Sequence, residues 1–198
     1  LACKEELERH GVKVVCSRTK DANDPVADEV KEANASGADY AFSIHANAGG
    51  GDGFEVYYHS TSKKGKELAK LAEKYVKKIG QNSRGLKTGD HLYFVRKTKM
   101  PAVLVESFFV DNDRDNNIGD TIKEQKAFGV AYAKAIIEFL GIKYKEKSGS
   151  SSESSSGSAA AENTKLFRVQ CGAFKDKKNA EDLKNKLIGA GYSAFIVE

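Results

Sequence analysis

The sequence predicts an α/β fold, a mostly parallel twisted sheet with helices on both faces. Three observations predict it. Segments with a helical apolar period alternate with short strand-like runs through residues 1–145, and strands separated by helices favour parallel pairing under a helical cover. The run PAVLVE (101–106) is almost wholly apolar, as a strand buried on both faces must be. The chain of 198 residues is 40% hydrophobic and 30% charged, a balance that supplies one good core.

Each element has its own reason. LACKEELER reads as a helix already under way at residue 1, and with a first residue other than Met it marks the chain as an internal fragment. Gly11 suits the left-handed position after that helix. VKVVC (12–16) reads as a short β-branched strand. Asp24 and Pro25 read as cap and first position of a helix whose inner face carries Val26, Val30 and Ala33. YAFSIH (40–45) is the second strand. In GFEVYYH (53–59), Phe54, Val56 and Tyr58 alternate with Glu55, Tyr57 and His59, the pattern of a half-buried strand. Leu68, Leu71, Tyr75, Val76 and Ile79 then recur at helical spacing before Gly80, with lysines on the opposite, solvated side. After PAVLVE, residues Ile122, Phe128, Tyr132, Ile136, Phe139 and Leu140 mark a last amphipathic helix.

The composition breaks once. Residues 146–164, EKSGSSSESSSGSAAAENT, hold nothing to bury and read as a flexible tether. They separate a first domain (1–145) from a short block (165–198) that reads strand, helix and the start of another strand. No stretch reaches the roughly 20 apolar residues of a membrane span. A net charge of +4 with interleaved signs lacks the basic face of a nucleic-acid binder. Even the tail, seven Lys/Arg against four Asp/Glu, is only modestly basic. Three separated cysteines with no C-x-x-C pair argue against a disulfide scaffold and a cysteine zinc cluster.

Chemistry gathers beyond the carboxyl ends of parallel strands. Here one strand ends in His45 and another in Glu106, so the topology puts an imidazole and a carboxylate at one rim. Imidazole suits zinc, and a carboxylate off the metal can move protons. A capping histidine and a solvated glutamate fit the same spacing, which leaves both readings open.

The motifs SIHANA (43–48), TKMPAVLVE (98–106) with FFVDN (108–112), and SRTKD (17–21) leading to Ala33-Asn34 resemble the zinc-dependent N-acetylmuramoyl-L-alanine amidases of bacterial cell walls. The resemblance covers residues 1–142. It implies His45 as a zinc ligand and Glu106 as the catalytic carboxylate. It also implies a bound Zn2+, two further ligands upstream of Leu1, peptidoglycan as substrate and a secreted or wall-associated place of action. Ser43 and Asn47 would orient His45. His10 reads as a helix cap, while His59 and His91 fall near the same rim by topology. Arg84 and Arg96 could hold acidic stem-peptide groups or merely be solvated. The glycines at 49–51 and 53 read as a flexible loop rather than a phosphate cradle.

The segment FRVQCGAFKDKKNAEDL (167–183) with LIGAGY (187–192) resembles the opening half of a SPOR domain, a ferredoxin-like α+β module that binds glycan strands. Half such a module would be weakly ordered alone. The expected protein is therefore an amidase tethered to a glycan-binding module. The alternative is a non-catalytic wall-binding protein with a degenerate amidase fold.

Overall fold

The apolar run at 101–106 becomes a central strand of the sheet. The computed structural model describes residues 1–19 and 25–146, together with Lys178 and Glu181. The chain divides into two compact units, Leu1–Ser150 and Ser151–Glu198, and every element named below belongs to the first. The expectations for Asp24, the tether beyond residue 146 and the SPOR-like block lie outside the described residues, the two named positions apart.

In chain order the elements are α1 (Ala2–Arg9), α2 (Val26–Ala35), β1 (Ala41–Asn47), β2 (Phe54–Tyr58), α3 (Lys63–Lys78), β3 (Ser83–Thr88), α4 (Tyr93–Lys97), β4 (Ala102–Phe109), α5 (Asp113–Gly119) and α6 (Ile122–Phe139). The four strands form one sheet in the order β1-β4-β2-β3. β1 runs parallel to β4, β3 runs parallel to β2, and β2 runs antiparallel to β4. The sheet is therefore mixed, with two of its three pairings parallel.

Alternation along the strands sends side chains to two different layers. Val103 and Val105 of β4 share a face with Phe54, Val56 and Tyr58 of β2, and all pack beneath Leu68, Ala72 and Val76 of α3 and Phe128 and Tyr132 of α6. Ala102, Leu104 and Ala41 face the other way, under Val30 of α2 and Phe94 and Val95 of α4. Helices thus cover both faces, as expected. The second cover is short, because α4 has only five residues.

Two sequence expectations change, and three elements appear that the sequence does not announce. VKVVC (12–16) forms no strand. A strand needs a neighbour to take its ladder hydrogen bonds, and among the described residues this run has none; Val12 N–H instead closes α1 on Leu7 O at 3.1 Å. Val12 and Val14 pack beside Leu7 and Ile137. At α2 the residue before the first helical position is Pro25, whose carbonyl accepts from Asp28 and Glu29. β3 and the short helices α4 and α5 carry no signal in the sequence, since SRGLKT has one large apolar residue, and five to seven residues cannot display a helical period.

One buried charge fixes the end of β4. Asp115 is fully buried near the start of α5. Its Oδ2 accepts from Gly53 N–H at 2.8 Å and Phe109 N–H at 2.7 Å, and its Oδ1 accepts from Gln81 Nε2 at 3.2 Å. It ties the loop before β2, the end of β4 and the segment before β3 to one point. Among the described residues no helix is long and apolar enough to cross a membrane.

Asp115→Ala should strand those buried donors and cost about 3 kcal/mol of stability, read as a lower midpoint in urea unfolding followed by circular dichroism. A loss within about 0.5 kcal/mol would mean water replaces the carboxylate without penalty.

Candidate active site

The ladder registers bring three ionisable side chains into one row. His45 of β1 is the direct partner of Glu106 of β4 in the parallel pairing, and Glu55 of β2 is the direct partner of Glu106 in the antiparallel pairing. Directly opposed residues project from the same face, with strands about 4.8 Å apart. The row continues the face of Ala102 and Leu104, beyond the residues that pack under α2 and α4.

Each member of the row has a different environment. His45 Nε2 lies 2.8 Å from Ser43 Oγ, its neighbour two residues back on the same face. Loss of solvent, opposed by Glu29 and helped by Arg18, lowers its pKa below the usual imidazole value. The neutral ring is the form that binds a metal. Glu55 is only 4% exposed. Burial opposes its charge, yet hydrogen bonds from Lys87, Tyr57 and Arg84 prevail and hold its carboxyl below the ordinary range. Its Oε1 accepts from Lys87 Nζ at 2.5 Å and Arg84 Nε at 2.6 Å, and its Oε2 from Tyr57 Oη at 2.6 Å. Glu106 receives no such help. Its Oε2 is buried without any hydrogen-bond partner, and desolvation, then the charge of Glu55, push its pKa up to about 7. Two carboxylates side by side are thereby driven to opposite behaviour, the arrangement that separates a fixed charge from a proton carrier.

The remaining expected residues divide. Ser43 does hold His45, while Asn47 reaches Glu55 Oε2 at 3.4 Å instead. His59 and His91 do not share the rim. β2 runs antiparallel to β4, so the ends of β2 and β3 point away from Glu106. His59 there meets Asp90 at 3.3 Å, and His91 stands edge-on to Tyr57. Arg96 of α4 donates to Asp90 O at that far rim too. His10 is a buried cap, with Nδ1 2.8 Å from Glu6 O and Nε2 accepting from Lys145 N–H. The glycine loop is pinned rather than loose, with Gly49 and Gly50 N–H both donating to Asp111 Oδ2. Burial raises the Cys3 thiol to about 12, the mark of an inert core cysteine. Glu55 is the residue that sequence reasoning misses. Alternation assigns it to solvent, and its only signal is a lone carboxylate in a strand followed by two cations at 84 and 87.

Zinc is the metal that the family resemblance implies. Among the described residues no group of three or more His, Cys, Asp and Glu could hold a metal ion. The row fits zinc in part, with one neutral imidazole beside a carboxylate whose buried oxygen has no partner.

Known proteins are similar to this chain in sequence and in fold. Residues 1–138 match the family model described as N-acetylmuramoyl-L-alanine amidase, and residues 163–198 match that of the SPOR domain. The amidase CwlM of Bacillus licheniformis is 31% identical over 194 residues, covering 96% of this chain and 69% of the relative. The endolysin of Bacillus phage SPP1 is 35% identical over 172 residues, 82% of this chain and 62% of the relative. The catalytic domain of CwlV, an amidase of Bacillus (Paenibacillus) polymyxa, superposes with a TM-score of 0.65 at 28% identity, covering 72% of this chain and 80% of that one. Cwp6 of Clostridium difficile gives a TM-score of 0.67 at 30% identity over 70% of this chain, which spans 24% of Cwp6.

In the metal-free protein, Glu55→Gln should lower the pKa of Glu106 from about 7 while leaving it above a free glutamate, because burial, the larger cause, persists. Carbon NMR titration of the side-chain carboxyls reads this directly. An unchanged or higher value would show that the Glu55 charge does not act on Glu106.

Proposed function

The chain belongs to the N-acetylmuramoyl-L-alanine amidase family, and we propose that it hydrolyses the amide between N-acetylmuramic acid and L-alanine in peptidoglycan with the help of zinc. Glu106 is the catalytic proton carrier and His45 one of the metal ligands. The observation that carries this reading is the unpartnered, buried Oε2 of Glu106 beside a neutral imidazole. A non-catalytic wall-binding protein would have no use for an orphaned acceptor there, since such atoms cost stability.

When bound, zinc supplies polarisation of the amide carbonyl and a lower pKa for water. The protein's own part is proton movement. The Glu106 carboxylate accepts a proton from the water that attacks the carbonyl carbon. It then returns that proton to the alanine nitrogen as the C–N bond breaks, because an amide anion is too poor a leaving group. A carboxyl whose pKa stands near 7 does both at neutral pH. Ser43 holds the His45 ring in one orientation, which keeps the ligand aimed while the reaction proceeds.

Around this centre, residues 1–145 form the catalytic domain, 146–164 the tether and 165–198 a SPOR-like module for glycan strands. A tether lets a bound module raise the local concentration of the catalytic domain at nearby stems. The place of action is the cell wall, outside the membrane. The names of the relatives, an N-acetylmuramoyl-L-alanine amidase and a phage endolysin, support this reading.

In the full-length protein, Glu106→Gln should keep its zinc yet lose about a thousandfold in the release of new alanine amino termini from peptidoglycan, measured by amine labelling and mass spectrometry. Turnover within about tenfold of the parent would remove Glu106 from the chemistry. His45→Ala should reduce bound zinc, measured by inductively coupled plasma mass spectrometry after dialysis. Full retention would mean His45 is not a ligand.

A further inference from the structure

Glu55 has more positive charge around it than it needs. One carboxylate meets two cations, Arg84 and Lys87, on the same oxygen, so these three groups together carry a net charge of +1. Ion pairing alone accounts for one of them. Arg84 uses only its Nε on Glu55; among the described residues its two terminal guanidinium nitrogens have no acceptor. Its plane lies over the Phe109 ring, 5.4 Å from the centroid, which holds the fork in place. Lys87 likewise has two donors left and rests over the Tyr57 ring at 5.8 Å. Both side chains are partly exposed, 43% and 36%, so a ligand can reach them.

We propose that Arg84 and Lys87 form a carboxylate-binding subsite beside Glu106, which takes a free carboxyl group on the peptide side of the scissile amide. The proposal rests on the amidase reading and names the substrate class that this site prefers. Its geometry follows from the sheet. Arg84 and Lys87 stand on β3, two strand spacings or about 10 Å from β4, and both reach back toward Glu55. Two residues of extended peptide span about 7 Å. A carboxyl on the second stem residue therefore falls on the cations when the amide before the first residue lies at Glu106. The forked guanidinium matches a carboxylate's two oxygens, and the buried Glu55 fixes both cations before substrate arrives, which lowers the ordering cost of binding.

The test compares peptidoglycan fragments whose second stem residue carries its carboxyl either free or amidated, using the full-length zinc-loaded enzyme. The parent should prefer the free acid by roughly tenfold in kcat/KM, mostly through KM, with the preference falling as salt rises. Arg84→Gln and Lys87→Gln should each shrink that ratio toward one, and Arg84→Lys, which keeps the ion pair with Glu55, should restore part of it. The ratio is internal to each variant, so a loss of stability does not imitate the effect. Equal use of acid and amide by the parent, or a preference that survives both Gln variants, would overturn the subsite and leave the amidase reading standing. Failure of the parent to cleave either fragment would overturn the amidase reading itself.

Discussion

The site depends on one constraint, the double register of β4. Strand β4 is paired in parallel with β1 on one side and antiparallel with β2 on the other, and both ladders meet at Glu106. That coincidence aligns His45, Glu106 and Glu55 across three strands on a single face. A slip of one residue in either ladder would send the partner to the opposite face, into the layer filled by α3 and α6. The apolar side chains of alternate positions guard the register, since Val103 and Val105 lock against Tyr58 and Val56. Asp115 then secures the end of β4 and the loop before β2 together. The core serves the site as a ruler more than as a source of stability.

Within the row, the two glutamates show how environment divides identical chemistry. Coulomb repulsion between neighbouring carboxylates has to be relieved by one of them. Glu55 has three strong hydrogen-bond donors, two of them cations, so it keeps its charge. Glu106 has none on its buried oxygen and yields, with a pKa near 7. The division of roles therefore lies not in either side chain but in what β3 brings to the edge of the sheet. β3 is a short, polar strand that packs Leu86 against the core and carries Arg84 and Lys87 to Glu55.

Most of the architecture is legible in the sequence because periodicity survives wherever a segment is long and one-sided. α3, α6 and β4 all announce themselves by spacing. The exceptions have local reasons. VKVVC has the composition of a strand but no neighbour among the described residues to complete its ladder. SRGLKT lacks the composition of a strand yet is one, because β2 offers it an edge. His45 and Glu106 are visible as strand ends. Placing His59 and His91 beside them assumes that every strand points the same way, and the antiparallel β2 reverses it. Glu55 is hidden by the alternation rule itself, which reads a charged residue between apolar ones as solvent-facing. Here the residue is buried, and its charge persists because Arg84 and Lys87 reach it from the neighbouring strand.

How the fold treats its buried polar groups separates structure from function. Across the described residues only two buried side-chain oxygens lack a partner, Asp52 Oδ1 and Glu106 Oε2. Asp52 lies in a loop, and its other oxygen accepts from Arg114 at 3.0 Å. Glu106 lies in a strand, between a neutral imidazole and a charged carboxylate, and no side chain comes to its aid. Elsewhere the fold satisfies buried carboxylates generously, as at Asp115 and Glu55. On the proposed reading, Glu106 is the exception because it serves the reaction rather than the fold. Arg84 and Lys87 are its mirror image, with spare donors beside it. In the proposed complex, one molecule would meet both, with water beside its scissile amide giving a proton to Glu106 and its carboxylate using the donors that Arg84 and Lys87 do not spend on Glu55.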